Sequence, residues 1–143
     1  MDARNNPGCV QAPRVPFVVA ANGPRSMRIA ARFGQGWVTT GPGGDDLAAW
    51  WAGVGELVAR LDSTLAAEGR DPASLDRYLS LDSAPVFSLR SAQFFADQVG
   101  RAAELGFTDV ITHWPRESSW YAGDEAVLED VATRLLPGLR AER

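Results

Sequence analysis

Short apolar runs alternate with longer stretches of helical period from Val15 onward. Phe17-Val18-Val19-Ala20-Ala21 is almost continuously apolar, the pattern of a strand buried on both faces. Asn22-Gly23-Pro24 breaks the run, and Pro24 suits a first helical position. Met27, Ile29, Ala30, Ala31 and Phe33 then predict a helix ended by Gly34. A second buried strand is predicted at Trp37-Val38-Thr39-Thr40, closed by Gly41-Pro42-Gly43-Gly44. Asp45 or Asp46 caps a long helix reaching Glu68, with Gly69 as its stop. Along it Leu47, Trp50 or Trp51, Val54, Leu57, Val58, Leu61 and Leu65 recur at helical spacing, so the two tryptophans read as packing residues.

A third strand is expected over Tyr78 to Ala84, and Ser91 opens a helix through Phe95, Val99, Ala102 and Leu105 to Gly106. A fourth strand, Asp109 to His113, ends at Trp114-Pro115, and a last helix runs from about Asp124 to Leu136, stopped by Pro137-Gly138. Strict alternation of strand and helix implies a parallel sheet covered by helices, an α/β fold. No GxGxxG fingerprint follows the first strand. The Gly-rich and polar elements follow strands, where α/β folds place their sites. Residues 1–14 are polar, broken by Pro7, Gly8 and Pro13, and read as a flexible tail ahead of a domain spanning 15–143.

Composition narrows the chemistry. All 14 basic residues are Arg, so no lysine is present to hold a phosphate or form a Schiff base. Any bound anion must be held by Arg or by backbone N–H groups. A formal charge of −4 disfavours a general nucleic-acid surface. Neither a secretory signal nor a run long enough to cross a membrane is visible, and the one cysteine, Cys9, makes neither an internal disulfide nor a zinc site alone. A cytoplasmic setting is the expectation.

The stretch Val15-Pro16-Phe17-Val18-Val19-Ala20-Ala21-Asn22-Gly23-Pro24-Arg25-Ser26-Met27-Arg28-Ile29-Ala30-Ala31-Arg32-Phe33-Gly34-Gln35-Gly36-Trp37 resembles a signature of the luciferase-like monooxygenase superfamily. Within it the chain is most similar to oxidoreductases that use coenzyme F420, a deazaflavin hydride carrier; Leu105 to Pro115 resembles their final strand. The resemblance implies a (β/α)8 TIM barrel, which needs about 250 residues, of which these four βα units match the C-terminal half. It implies that the turn Asn22-Gly23-Pro24-Arg25-Ser26 holds the cofactor phosphate, with FMN as the alternative to coenzyme F420. The groups that the family sets around the cofactor ring belong to the other half, so no catalytic residue is assigned. The isolated chain is expected to be inactive.

The residues themselves allow the same assignment and a plainer one. Free N–H groups and the positive end of a helix dipole at the Gly23 turn make an anion site, with Arg25 or Ser26 adding a donor. A turn that merely joins strand to helix has the same sequence. Asp45 and Asp46 would repel a phosphate from the Gly41–Gly44 loop, where Thr40 is left as a pocket-lining candidate. By the resemblance, a lysine in this loop contacts substrate in a sugar-phosphate member; here Gly43 takes its place. His113, the only histidine, and Arg116, an anion clamp, are candidates for binding a small-molecule substrate, with no metal implied. A non-catalytic interaction module is the competing reading. Four parallel strands leave two open edges, so a homodimer or a complementary N-terminal half is the expected partner.

Overall fold

The computed structural model describes residues 11–141; the first ten residues of the expected tail, and with them Cys9, lie outside the described residues. The strands are β1 (Val18–Ala20), β2 (Gly36–Thr39), β3 (Asp76–Ser80) and β4 (Asp109–Ile111). They form one sheet in the order β1-β2-β3-β4, every pair parallel. Parallel neighbours require crossovers, and helices supply them: α1 (Pro24–Phe33), α2 (Leu47–Ala67) and α3 (Ala92–Glu104). After β4 come α4 (Glu125–Asp130), a π turn (Val131–Leu135) and α5 (Leu136–Ala141). This α/β arrangement matches part of a TIM-barrel-like fold.

Local chemistry accounts for the helix starts. Side-chain oxygens of Asp46, Ser91 and Asp124 accept from the N–H groups of Ala49, Phe94 and Ala126, capping α2, α3 and α4. The predicted stop of α2 holds: Gly69 follows it at φ +65, a left-handed conformation open to glycine.

The register divides the sheet into two faces. Val19, Trp37, Thr39, Leu79 and Val110 point toward the helices, where Met27, Ala30, Trp50, Val54, Leu61 and Leu65 are buried. Trp37 anchors this core: wholly buried, it donates its indole N–H to the Ala21 carbonyl at 2.6 Å and stacks on Phe107. Trp50 and Trp51 pack into it edge to face, as the helical spacing predicts. The opposite face carries Val18, Ala20, Val38, Thr40, Tyr78, Ser80, Asp109 and Ile111 with nothing over it among the described residues.

That face corrects the expectation of a first strand buried on both sides, since Val18 is 48% exposed, while the second strand is buried except for the half-buried Val38. The third strand is also shifted from Tyr78–Ala84 to Asp76–Ser80, because the chain turns into a 3-10 segment at Leu81–Ser83 and carries Asp82 inward. β4 likewise ends at Ile111, two residues before His113. Pro137 does not stop the last helix. The π turn has already displaced the hydrogen-bond ladder, so a residue without an N–H sits in the first turn of α5 at little cost.

Candidate functional site

The C-terminal ends of the strands bring the sequence candidates to one end of the sheet, at its two opposite edges. At the β1 edge, Gly23 is the N-cap of α1 in extended conformation with no side-chain cap. The N–H groups of Arg25 and Ser26 stand in the first turn, where a helix offers no acceptor. The Arg25 guanidinium is exposed and has no ion pair or hydrogen bond among the described residues. Asn22 and Ser26 have other duties. The Asn22 amide accepts from Thr39 Oγ1 at 2.6 Å and donates to the Gly41 carbonyl at 3.1 Å, bracing the ends of β1 and β2. Ser26 donates its hydroxyl to the Gly23 carbonyl at 3.0 Å, which leaves its backbone N–H as the donor for an anion. Pro24 starts the helix with no N–H to lose.

A hollow of about 270 Å³ lies beneath this turn, lined by Ala20, Ala21, Asn22, Val38 and Thr40. The structure thus joins Thr40 to the Asn22 turn, which the sequence left as separate candidates. Arg60 of α2, which is not among the sequence candidates, donates to the Asn22 carbonyl at 3.2 Å and sets a second guanidinium beside the turn. Gly41 (φ +70) closes over the Trp50 indole; an added Cβ would stand 2.6 Å from that ring.

At the opposite edge, His113 and Arg116 follow β4. The His113 Nδ1 lies 3.1 Å from Asp82 Oδ2, and Tyr121 stacks on the imidazole with centroids 4.2 Å apart and planes 9° apart. Neither Asp82 nor Tyr121 was singled out by the sequence: Asp82 sat inside an expected strand and Tyr121 in an expected loop. Arg116 lines an open hollow with Pro115, Ser119, Tyr121 and Glu125. The sequence candidates therefore form two groups, Asn22–Ser26 with Thr40, and His113 with Arg116.

Between them, on the bare face, the Tyr78 ring lies across Gly36, where a Cβ would meet it at 2.8 Å. Desolvation raises the Tyr78 phenol above its usual pKa, and the neighbouring Asp109 and Asp76 charges add to the effect. Among the described residues no group of three or more His, Cys, Asp or Glu side chains forms a metal site, and no helix is long and apolar enough to cross a membrane.

Comparison with known proteins agrees with this geometry. No curated protein matches the chain. The family model for luciferase-like monooxygenases matches residues 1–93 of the 143, a span that includes β1, the Gly23 turn, α1, β2, α2 and β3. Parallel βα units, candidate groups at the strand C-termini and this match over most of the chain lead to one conclusion: the chain belongs to the luciferase-like monooxygenase family.

Proposed function

We propose that the chain serves as the C-terminal half of a coenzyme F420-dependent oxidoreductase, holding the phosphate of the deazaflavin at the Gly23 turn and forming one wall of a substrate pocket. The observation that carries this reading is the start of α1. α2, α3 and α4 are each capped by an Asp or Ser side chain, whereas Gly23 leaves the α1 donors open. The donors fit a phosphate: two first-turn N–H groups, the positive end of the helix dipole, and the Arg25 and Arg60 guanidiniums. A chain without lysine can hold an anion in just this way. The preference for a deazaflavin over FMN rests on the likeness of Val15–Trp37 to the coenzyme F420 enzymes.

The bound cofactor supplies the hydride chemistry. The chain's own residues bind its phosphate, line the hollow at Thr40 and present His113 and Arg116 to substrate. The bare face of the sheet is the side on which a further four βα units, or a second copy, would complete a barrel. Fluorescence titration of the chain with coenzyme F420 and with FMN tests the reading, with Arg25→Ala as the variant. Binding weakened about tenfold or more by the loss of one charge-assisted contact is expected. Binding that Arg25→Ala leaves unchanged contradicts it, and tighter binding of FMN replaces the deazaflavin with the flavin.

A further inference from the structure

A wholly buried carboxylate with no guanidinium beside it is expensive to keep, and the fold surrounds Asp82 with donors to keep it. Asp82 Oδ1 accepts from the Ser88 N–H at 3.0 Å. Oδ2 accepts from Thr112 Oγ1 at 3.0 Å and from the His113 N–H at 2.5 Å, with His113 Nδ1 at 3.1 Å. Ser88 Oγ, 2.7 Å from Thr112 Oγ1, extends the network into the turn before α3. Asp82 and His113 each stand two residues past the paired Ser80 and Ile111, so the last register step of β3 and β4 delivers them to each other.

The carboxylate only accepts, so the hydrogen bond to the imidazole has to be donated by Nδ1. A neutral imidazole with its proton on Nδ1 carries a lone pair on Nε2. That nitrogen has no partner among the described residues, and the His113 side chain is 45% exposed. The ring is fixed from a second side by Tyr121. The loop that puts Tyr121 there is folded back on itself, with Arg116 N–H donating to the Tyr121 carbonyl and Gly123 N–H to the Arg116 carbonyl. Its turn runs through Ser119 at φ +104, a strained conformation for a residue with a side chain. Carboxylate, strained loop and aromatic ring together hold one tautomer and one orientation of a part-exposed imidazole whose other nitrogen has no partner among the described residues, at the strand ends where parallel sheets bind ligands.

We propose that Asp82 and Tyr121 hold His113 as a tautomer-fixed acceptor, with Nε2 receiving the hydrogen bond of a ligand hydroxyl group. When the proton moves, the ligand O–H bond breaks, an Nε2–H bond forms and the electron pair stays on the ligand oxygen. The imidazolium so made lies against the Asp82 carboxylate. Asp82 acts through His113 and is a positioning residue. The assignment is independent of the phosphate site, which stands at the other edge of the sheet.

The single histidine makes the test clean, since the chain has one imidazole spin system. Long-range proton–nitrogen NMR of the 143-residue chain, at a pH where the ring is neutral, reads the tautomer directly. Wild type is expected to show Nδ1 in the protonated range and Nε2 in the unprotonated range. Asp82→Asn is expected to move Nε2 toward the protonated range. The wild-type spectrum decides the matter even where that variant fails to fold. Titration with 2,2,2-trifluoroethanol is expected to shift Nε2, while its methyl ether, which has no hydroxyl to donate, leaves it in place. A wild-type ring protonated at Nε2, or an Nε2 signal that alcohol and ether move alike, overturns the proposal whether or not the chain binds a deazaflavin.

Discussion

The two faces of the sheet are built from the same strands and to different ends. Toward the helices, Trp37, Thr39 and Leu79 are buried, and α2 alone contributes seven buried side chains to the layer above them. On the other face Val18 and Ile111 are about half exposed, the Tyr78 ring lies against Gly36, and Asp76 and Asp109 stand beside it. A strand residue contributes to stability only through what covers it, so the helix face carries the folding free energy of this chain. The bare face instead presents an apolar strip with a carboxylate pair at its N-terminal end.

The sharpest way to break this contrast is to truncate one residue on each face. Trp37→Ala is expected to lower stability by about 3–5 kcal/mol, through the cavity and the lost indole hydrogen bond. Val18→Ala is expected to change it by no more than about 0.5 kcal/mol. Urea unfolding monitored by tryptophan fluorescence and circular dichroism compares the two, and a Val18 effect as large as that of Trp37 means the bare face is covered in solution. Self-association sharpens the same point. Exposed Phe17, Val18, Ile29 and Phe33 at one edge and Ile111 and Trp114 at the other should make the isolated chain self-associate at micromolar concentration. Light scattering is expected to show smaller particles for Val18→Arg and Ile111→Arg. A strictly monomeric wild type contradicts the expectation.

The smallest effect expected is electrostatic. Because Tyr78 holds its proton above the usual range, the folded chain keeps it where the unfolded chain has lost it. Its contribution to stability is fully present below pH 10 and is lost as pH rises through the folded value. Asp109→Asn removes the neighbouring charge with the larger effect and should bring the tyrosinate absorbance transition of Tyr78 down toward pH 10. An unmoved transition means Asp109 does not act on the phenol.

Much of this architecture was legible in the sequence because it depends on local rules. The caps Asp46 and Ser91, the Pro24 start and the Gly69 stop all act within one helical turn, and apolar spacing marked the core face of α2. Burial on the second strand face was misread because an apolar run records what a strand is made to meet, and says nothing of whether the chain supplies it. Asp82 was missed for the opposite reason. A lone carboxylate in a strand-like run gains meaning from Thr112 and His113, 30 and 31 residues later, and no periodicity carries that link. Arg60 resembled every other outward arginine until α2 set it beside Asn22.

The proposed phosphate site is tested most directly by Gly23→Asp. Gly23 has the extended backbone of an N-cap, and an added Cβ meets nothing closer than Ser26 Oγ at 3.8 Å, so the aspartate is accommodated. Its carboxylate should cap α1 as Asp46 caps α2, raising stability by up to about 1 kcal/mol while occupying the N–H donors a phosphate needs and repelling its charge. Gly43→Asp, in the next loop with open space around it, is the control for added charge. Titration with coenzyme F420 and with FMN should find affinity reduced by about 1–3 kcal/mol for Gly23→Asp and nearly unchanged for Gly43→Asp, with the Gly23 variant at least as stable as wild type. Equal affinity of wild type and a folded Gly23→Asp chain would show that the turn only joins a strand to a helix.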